Sequence, residues 1–275
     1  MNRSAIIRNR FRSEFFDIDR GDEYSRVLSD AQARGYEIRS LESVWAAAEV
    51  PARFMALRHD VERPSSSLAR EFFKRELSIG ARSTFYFRLT TFPANETLVG
   101  ELLEAGFDVG YHYEEAADVA KERGVRSRPG LDEHAGLIHD RFRANVESIR
   151  SRHHPGLRSV SSHGEWINSR LGFTNREFVS PELLEECGLW FEAYHPLFVE
   201  QARYVSDVAV FPERWTDGYT VTSAIDDGHT RICVLTHPNR WFRAPASNAG
   251  HLVRRGLDEV RYRLRTSRGF TRSRA

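Results

Sequence analysis

Residues 54–64 read Phe-Met-Ala-Leu-Arg-His-Asp-Val-Glu-Arg-Pro. The segment opens with a short apolar run, which is typical of a buried strand. It then turns into a cluster of ionisable side chains: Arg58, His59, Asp60 and Glu62. In α/β proteins, chemistry usually takes place at the carboxyl ends of buried strands, although structural ion pairs gather there as well. Polar residues elsewhere in the chain distinguish between these two interpretations.

Apolar strand patterns alternate with helical patterns from this segment to about residue 237. The predicted strands are 53–59, 82–89, 107–112, 157–162, 189–194, 202–210, 219–223 and 231–236. The predicted helices are 22–34, 41–48, 64–78, 95–105, 131–151 and 181–187. Alternation of this kind calls for a parallel sheet covered by helices, either open or closed into a barrel. We predict a single α/β domain over residues 1–275, with a core at about 22–243, an N-terminal arm at 1–21 and a basic tail at 244–275.

The composition excludes several classes of protein. A net charge of +1 argues against a nucleic-acid-binding protein, and we interpret the Arg-rich tail as a solvated helix face. The sequence contains no apolar run of the roughly 18 residues that a membrane span needs, and its polar N-terminus does not resemble a secretory signal. Cys187 and Cys233 are too few for a disulfide framework, so we expect two buried thiols in a reducing, cytoplasmic compartment.

Histidines stand at the ends of several predicted strands, namely His59, His112, His163 and His237. Because the carboxyl ends of parallel strands lie on one rim, we expect the last three to converge with Asp60 in one cleft. A single histidine is more often structural, but several at equivalent positions beside an acid favour a functional site. Imidazole and carboxylate are ligands suited to zinc and similar divalent ions.

Seven segments carry a resemblance to a known superfamily through their residues and their order: 57–62, 84–88, 106–114, 162–164, 191–194, 204–207 and 235–238. Over about residues 22–241 the chain resembles the polysaccharide deacetylase superfamily, also called NodB-homology or carbohydrate esterase family 4. More closely, it resembles a divergent branch associated with bacterial surface-polysaccharide clusters. The resemblance implies a distorted (β/α)7 barrel of parallel strands with outer helices, which binds one divalent metal ion, usually zinc.

Four residues are expected to carry catalysis. The resemblance assigns Asp60 as the general base, His237 as the general acid and Asp207 as an acid that helps to orient the catalytic groups. We expect Arg58 to pair with Asp60 or Asp207 and to keep the base ionised. The implied reaction is hydrolysis of an N- or O-acetyl group of a polysaccharide or its precursor, with metal-bound water attacking the acetyl carbonyl.

The resemblance also implies a metal site, in which Glu62 and His112 are ligands. The family places a second histidine four residues after the first, and this chain has Ala116 at that position. We expect His163, which ends another predicted strand, to supply the missing ligand. This assignment is our own inference and is not part of the family pattern.

Aromatic residues near the predicted rim loops complete the expected site. Trp166, Tyr194 and Trp241 are candidates for stacking on the sugar rings of an acetylated carbohydrate, although such residues are more often part of a core. Two other functions remain open at this point. Ala116 favours a non-catalytic descendant of the barrel that binds a saccharide or a protein, and the same ligand types would serve a metallohydrolase acting on a phosphoester or a cyclic amide.

Overall fold

The structure is a computed structural model that describes residues 19–64, 66–208, 214–242 and 245–272, without the side chains of 66, 245–247 and 268–272. Most of the predicted N-terminal arm, and residues 209–210 of one predicted strand, lie outside the described residues. The strands are β1 Glu37–Ser40, β2 Phe54–Val61, β3 Thr84–Phe87, β4 Asp108–Tyr113, β5 Ser159–Ser162, β6 Phe191–Glu192, β7 Arg203–Ser206 and β8 Arg231–Thr236.

Helices precede, connect and follow these strands. They are α1 Gly21–Ala33, α2 Leu41–Trp45, α3 Ser66–Ser78, α4 Glu96–Glu104, α5 Glu115–Arg123, α6 Arg128–Asp132, α7 Ala135–Arg152, α8 Trp166–Leu171, α9 Pro181–Glu186, α10 Pro196–Val199, α11 Val221–Asp226, α12 Pro238–Trp241 and α13 Pro245–Arg272. Short 3₁₀ turns at Pro93–Asn95, Asn175–Phe178 and Thr216–Gly218 join some of them.

Strand β2 lies in the interior of one parallel sheet. The main path of the sheet runs β6-β5-β4-β3-β2-β8-β7. Strand β8 pairs with β2 along one side, whereas β1 pairs with the first half of its other side and β3 with the second half. The sheet curls into a half-barrel with helices around it, which confirms the predicted distorted (β/α)7 architecture.

All eight residues of β2 are buried, and its two faces have different surroundings. Successive side chains of a strand point to opposite faces. Phe54 and Ala56 belong to the apolar cluster inside the barrel, on the same face as Arg58 and Asp60. His59 points the other way, where its Nδ1 lies 2.6 Å from Thr236 Oγ1 and its Nε2 lies 2.6 Å from Glu76. His59 is therefore part of the outer packing, and the even-numbered residues carry charge into the barrel.

The prediction of a strand at 219–223 is wrong, because helix α11 begins there. The side chain of Thr220 accepts a hydrogen bond from the backbone N–H of Ser223 at 3.0 Å, which is a helix N-cap. Val221, Ala224 and Ile225 are buried, and their spacing of three and four residues is that of one helix face. The capping side chains and this longer period outweigh the β-branched residues that suggested a strand.

The sequence predicts a solvated helix face in the basic tail, and helix α13 forms there, but part of this helix is buried. Tyr262 is buried against Trp166, with their ring centroids 5.4 Å apart, and its hydroxyl donates to the carbonyl of Val125. Arg265 donates to the carbonyl of Lys121 at 3.1 Å. These contacts attach α13 to α5 and α8, close to the carboxyl ends of the strands. In the described part of the chain, no helix combines the length and the apolar character that crossing a bilayer requires.

Glu115, at the start of α5, predicts a pH-dependent stability. It is buried and accepts hydrogen bonds from Tyr111 (2.6 Å) and Asn145 (2.9 Å), and burial raises its pKa from 4.5 to about 7. A raised carboxyl pKa stabilises the fold below the unfolded value, and this stabilisation is lost as the pH rises through the folded value. We expect Glu115→Gln to raise the free energy of unfolding at pH 8 by about 1–3 kcal/mol, with little change at pH 4.

Urea unfolding at both pH values measures this difference. The exposed Glu133 provides a matched control, since Glu133→Gln should leave the free energy of unfolding unchanged at either pH. An effect of Glu115→Gln that is the same at pH 4 and pH 8 would contradict the assigned pKa.

Candidate metal and catalytic site

The carboxyl ends of five parallel strands bring together the polar residues that the sequence analysis singled out. Asp60 lies in β2 and Glu62 follows it; His112 lies in β4; His163 follows β5, Asp207 follows β7 and His237 follows β8. Five of these residues are at most 5% exposed, and the side chain of Glu62 is 20% exposed. Five strands therefore place all six side chains in one cluster that is largely shielded from water.

Asp60 is held by the arginine two residues before it on the same face of β2. Arg58 Nη2 lies 3.0 Å from Oδ2 of Asp60, and Nε lies 3.3 Å from Oδ1. Arg58 is fixed in turn by the carbonyl of Ala193 at 3.2 Å and by the ring of Tyr194, whose centroid is 4.3 Å away. Burial opposes ionisation of Asp60, but Arg58, together with His112 and His237, outweighs it and lowers the pKa of the carboxyl. Asp60 is therefore ionised at neutral pH.

Glu62, His112 and His163 form a group whose ligand atoms, one from each residue, lie within 4.8 Å of one another. His112 Nδ1 lies 2.9 Å from the carbonyl of Ser161, so it carries the proton and donates it. His112 Nε2 is buried and has no hydrogen-bond partner among the described residues. His163 Nδ1 lies 2.8 Å from Glu114, and its Nε2 lies 3.6 Å from Glu62. Both imidazole rings are thus oriented by hydrogen bonds at Nδ1, and the Nε2 atom of each ring is available to the ligand group.

This group fits a divalent metal ion. Two imidazoles and one carboxylate make a ligand set found at catalytic zinc sites, and hydrogen bonds from the far ring nitrogens are the usual support of such ligands. Burial lowers the pKa of His112 to about 4, so its ring is neutral with a lone pair on Nε2. Ala116 lies in the first turn of α5 and is 1% exposed, and its methyl group offers no ligand atom.

His163 carries charge in the absence of a metal ion. Burial and Arg88 both lower its pKa, but the carboxylates of Glu114 and Glu62 outweigh them and raise it to about 9. A cation bound at this group would take the place of that proton, as metal ligands must be deprotonated.

His237 and Asp207 form a second, tightly bonded unit beside the ligand group. Oδ1 of Asp207 lies 2.6 Å from His237 Nδ1, and Oδ2 accepts the backbone N–H of His237 at 2.8 Å. Burial disfavours the charged imidazole, but Asp207 and Glu62 together outweigh it and raise the pKa of His237. His237 Nε2 lies 3.6 Å from Glu62, so this nitrogen faces the ligand group.

The three aromatic candidates occupy different places. Trp166 is half-buried and lines a cavity together with Glu62. Tyr194 lies against the guanidinium that holds Asp60. Trp241 is 1% exposed and donates its indole N–H to Asp207 at 2.8 Å, so it supports that carboxylate instead of facing the cavity.

Glu114 and Arg88 have no role among the sequence-based predictions. Glu114 connects His163 to Arg88, because one of its carboxylate oxygens bonds His163 and the other bonds Arg88. Glu114 comes two residues after His112, and the alternation of strand side chains places such residues on the same face. This spacing could have predicted that Glu114 lies near His112. It could not have predicted the contact with His163, which is 49 residues away in the chain.

No family model matches the chain, and no curated protein matches it at a significant level. Among solved structures it is similar to a carbohydrate esterase family 4 pseudoenzyme from Bacillus anthracis, with 12% identity and a TM-score of 0.40, over 75% of this chain and 61% of that one. It is also similar to a family 4 carbohydrate esterase from Streptomyces lividans, with 13% identity and a TM-score of 0.39, over 75% of this chain and 87% of that one.

A third similar structure is a peptidoglycan deacetylase from Bacillus subtilis, with 14% identity and a TM-score of 0.39, over 82% of this chain and 98% of that one. The chain spans less than two thirds of the length of the pseudoenzyme. All three solved structures are less than 25% identical to this chain, and their TM-scores are below 0.5.

Proposed function

We propose that this chain is a metal-dependent hydrolase that removes acetyl groups from a carbohydrate. The observation that carries the proposal is the convergence of three units at one edge of the sheet: an ionised base, a ligand group and an acid dyad. A saccharide-binding protein has no use for this combination. Metal-assisted hydrolysis of an amide or ester uses each of the three.

Glu62, His112 and His163 would hold the cation, and zinc is the expected ion. A divalent ion bound there supplies a water of lowered pKa and polarises the acetyl carbonyl. The carboxylate of Asp60 lies beside this group, with Oδ2 3.6 Å from His112 Nε2.

Asp60 is positioned to accept the proton of the attacking water. Arg58 keeps its carboxylate ionised and fixes its orientation, so the base needs no rearrangement before it acts. Ser161 Oγ lies 3.5 Å from the same carboxylate.

His237 is positioned to protonate the leaving amine or alkoxide. Asp207 accepts the hydrogen bond of Nδ1 and raises the pKa of His237, which favours the imidazolium that can donate a proton from Nε2. The indole of Trp241 keeps Asp207 in place through its own hydrogen bond.

One observation favours a second function, a non-catalytic descendant of the barrel that binds a saccharide. Ala116 occupies the position at which the sequence resemblance expects a histidine, and it is packed inside α5. If the remaining ligand group does not retain a metal ion, the cluster can bind sugar hydroxyl groups but cannot activate water.

Metal content and acetate release distinguish the two functions. We expect purified protein to bind about one equivalent of zinc and to release acetate from N-acetylated chitooligosaccharides or O-acetylated xylan. A chelator should abolish the release, and added zinc should restore it. Folded protein that takes up no divalent ion and releases no acetate would support the binding function instead.

A further inference from the structure

A groove of about 890 Å³ lies beside β6, the strand at one end of the sheet path. Trp45 at the end of α2, Trp190 before β6 and Tyr194 after β6 line it together with residues of α9, and we call it the β6 groove. No residue of the ligand group or of the acid dyad lines it. Its volume is in the range of small-ligand pockets, so it can hold a ligand of its own.

Trp190 presents an indole ring to this groove. It is 38% exposed, and the other exposed large apolar side chains in the described part of the chain are aliphatic. The guanidinium of Arg158 lies over the ring, 4.4 Å from its centroid, but does not line the groove. Arg158 thus helps to fix the orientation of the indole, and the groove contacts the part that Arg158 leaves uncovered.

Trp45 provides a second indole in the same groove. Its ring centroid lies 4.9 Å from that of Phe191 and 4.9 Å from that of His195, so its orientation is also fixed by packing. Leu184 and Leu189 line the groove as well, but they are at most 9% exposed. The indoles therefore supply more of the accessible apolar surface than the leucines do. Flat rings of fixed orientation suit the apolar C–H face of a sugar ring, which is drawn to the negative face of an aromatic ring.

Polar groups of both signs lie among these rings, namely Arg176, Glu177, Glu185 and His195. Hydroxyl groups of a neutral sugar can donate to the carboxylates and accept from the guanidinium. An apolar partner would bury Arg176 and Glu185 without replacing their hydrogen bonds to water, which costs free energy. An anionic ligand would meet the carboxylates, which repel it. The chemistry of the groove therefore favours a neutral polyol over both.

The β6 groove shares a wall with the candidate catalytic site. The ring of Tyr194 contacts the guanidinium of Arg58, which holds Asp60. Glu192, which also lines the groove, accepts the backbone N–H of Tyr194 at 2.6 Å and that of Ser162 at 2.8 Å. A ligand in the groove would thus lie next to the base, separated from it by Tyr194.

We propose that the β6 groove binds a neutral oligosaccharide, whose sugar rings stack on Trp190 and Trp45 and whose hydroxyl groups bond to Arg176 and Glu185. The two indoles and the polar groups around them carry this assignment. That the bound saccharide belongs to the same carbohydrate as the acetylated substrate rests on the proposed function, together with the shared wall at Tyr194.

A fluorescence titration of the tryptophans, with a chelator present to prevent turnover, tests this inference. The probes are chitohexaose and xylohexaose, which are neutral, and hexagalacturonate, which is acidic. At least one neutral probe should change the emission and bind about tenfold more tightly than the acidic one, because carboxylates in the groove repel like charge. Failure of both neutral probes to bind would overturn the inference, and uptake of the apolar dye Nile red in that case would point to an apolar partner.

Variants of Trp190 locate the contact. Trp190→Ala should weaken binding of the neutral probe by about tenfold, whereas Trp190→Phe should keep most of the affinity and lose most of the emission change. Trp215→Phe is the matched control, since Trp215 is 5% exposed and does not line the groove, and it should keep both. Thermal unfolding shows whether each variant is folded. Unchanged affinity in Trp190→Ala with a full emission change in Trp190→Phe would place the sugar elsewhere and overturn the inference.

The inference and the proposed function fail in different ways. Binding is measured without turnover, so binding that depends on Trp190, with no acetate release after zinc is restored, would remove the proposed function alone. Acetate release by the parent protein, with binding that is insensitive to Trp190→Ala, would remove the groove alone.

Discussion

Asp60→Asn is expected to lower the rate of acetate release by about 10³-fold, within the range typical for loss of a general base. The amide cannot accept the proton of the attacking water, whereas the carboxylate is kept ionised by two hydrogen bonds from Arg58. Asp60 is not in the ligand group of Glu62, His112 and His163, so the metal content should be unchanged. Steady-state kinetics and elemental analysis of the same preparation measure both quantities.

The control has to separate loss of the base from loss of the fold, because the substitution leaves Arg58 buried without its counter-ion. Thermal unfolding of the variant shows whether the native state survives. Asp108→Asn provides a matched change at the amino end of β4, where Asp108 accepts the backbone N–H of Glu42 at 3.1 Å, and it should retain activity. Full activity in folded Asp60→Asn protein would exclude Asp60 as the base.

The central strand and its charged end could be predicted because they depend on local pattern. The apolar run at the start of β2 indicates burial, and charged residues that follow it have to lie at the strand end. The helical period at Tyr24 and Leu28 predicts α1 for the same reason, and both residues are buried on its inner face. Parallel order then places the other strand ends on the same edge.

Contacts between distant residues could not be predicted in this way. His163 and Glu114 are far apart in the chain, and the indole of Trp241 reaches Asp207 across 34 residues. The packing of α13 beside the site depends on Tyr262, which looks in sequence like any aromatic residue in a basic tail. Each of these contacts is decided by tertiary packing, for which the sequence offers no periodic signal.

His163→Ala is expected to reduce the zinc content of the purified protein from about one equivalent to nearly none. Two ligands, Glu62 and His112, would remain from the group. Loss of an outer hydrogen-bond partner typically costs about 10–100-fold in metal affinity, and loss of a direct ligand should cost more. Glu114→Gln supplies the milder comparison, since Glu114 contacts the ligand group through His163 Nδ1. Competition with a chromogenic chelator measures the zinc affinity of the parent protein and of both variants.

Free imidazole separates a ligand role from a structural one. Truncation of His163 leaves a space beside Glu62 in which an added imidazole can bind, and this should restore zinc binding without restoring any packing by the chain. His139→Ala, on α7, is the matched histidine control and should bind zinc like the parent protein. If His163→Ala keeps its zinc, then the group does not use this side chain. Another side chain would then have to supply the ligand that is missing at Ala116, and the assignment of His163 as a ligand would be wrong.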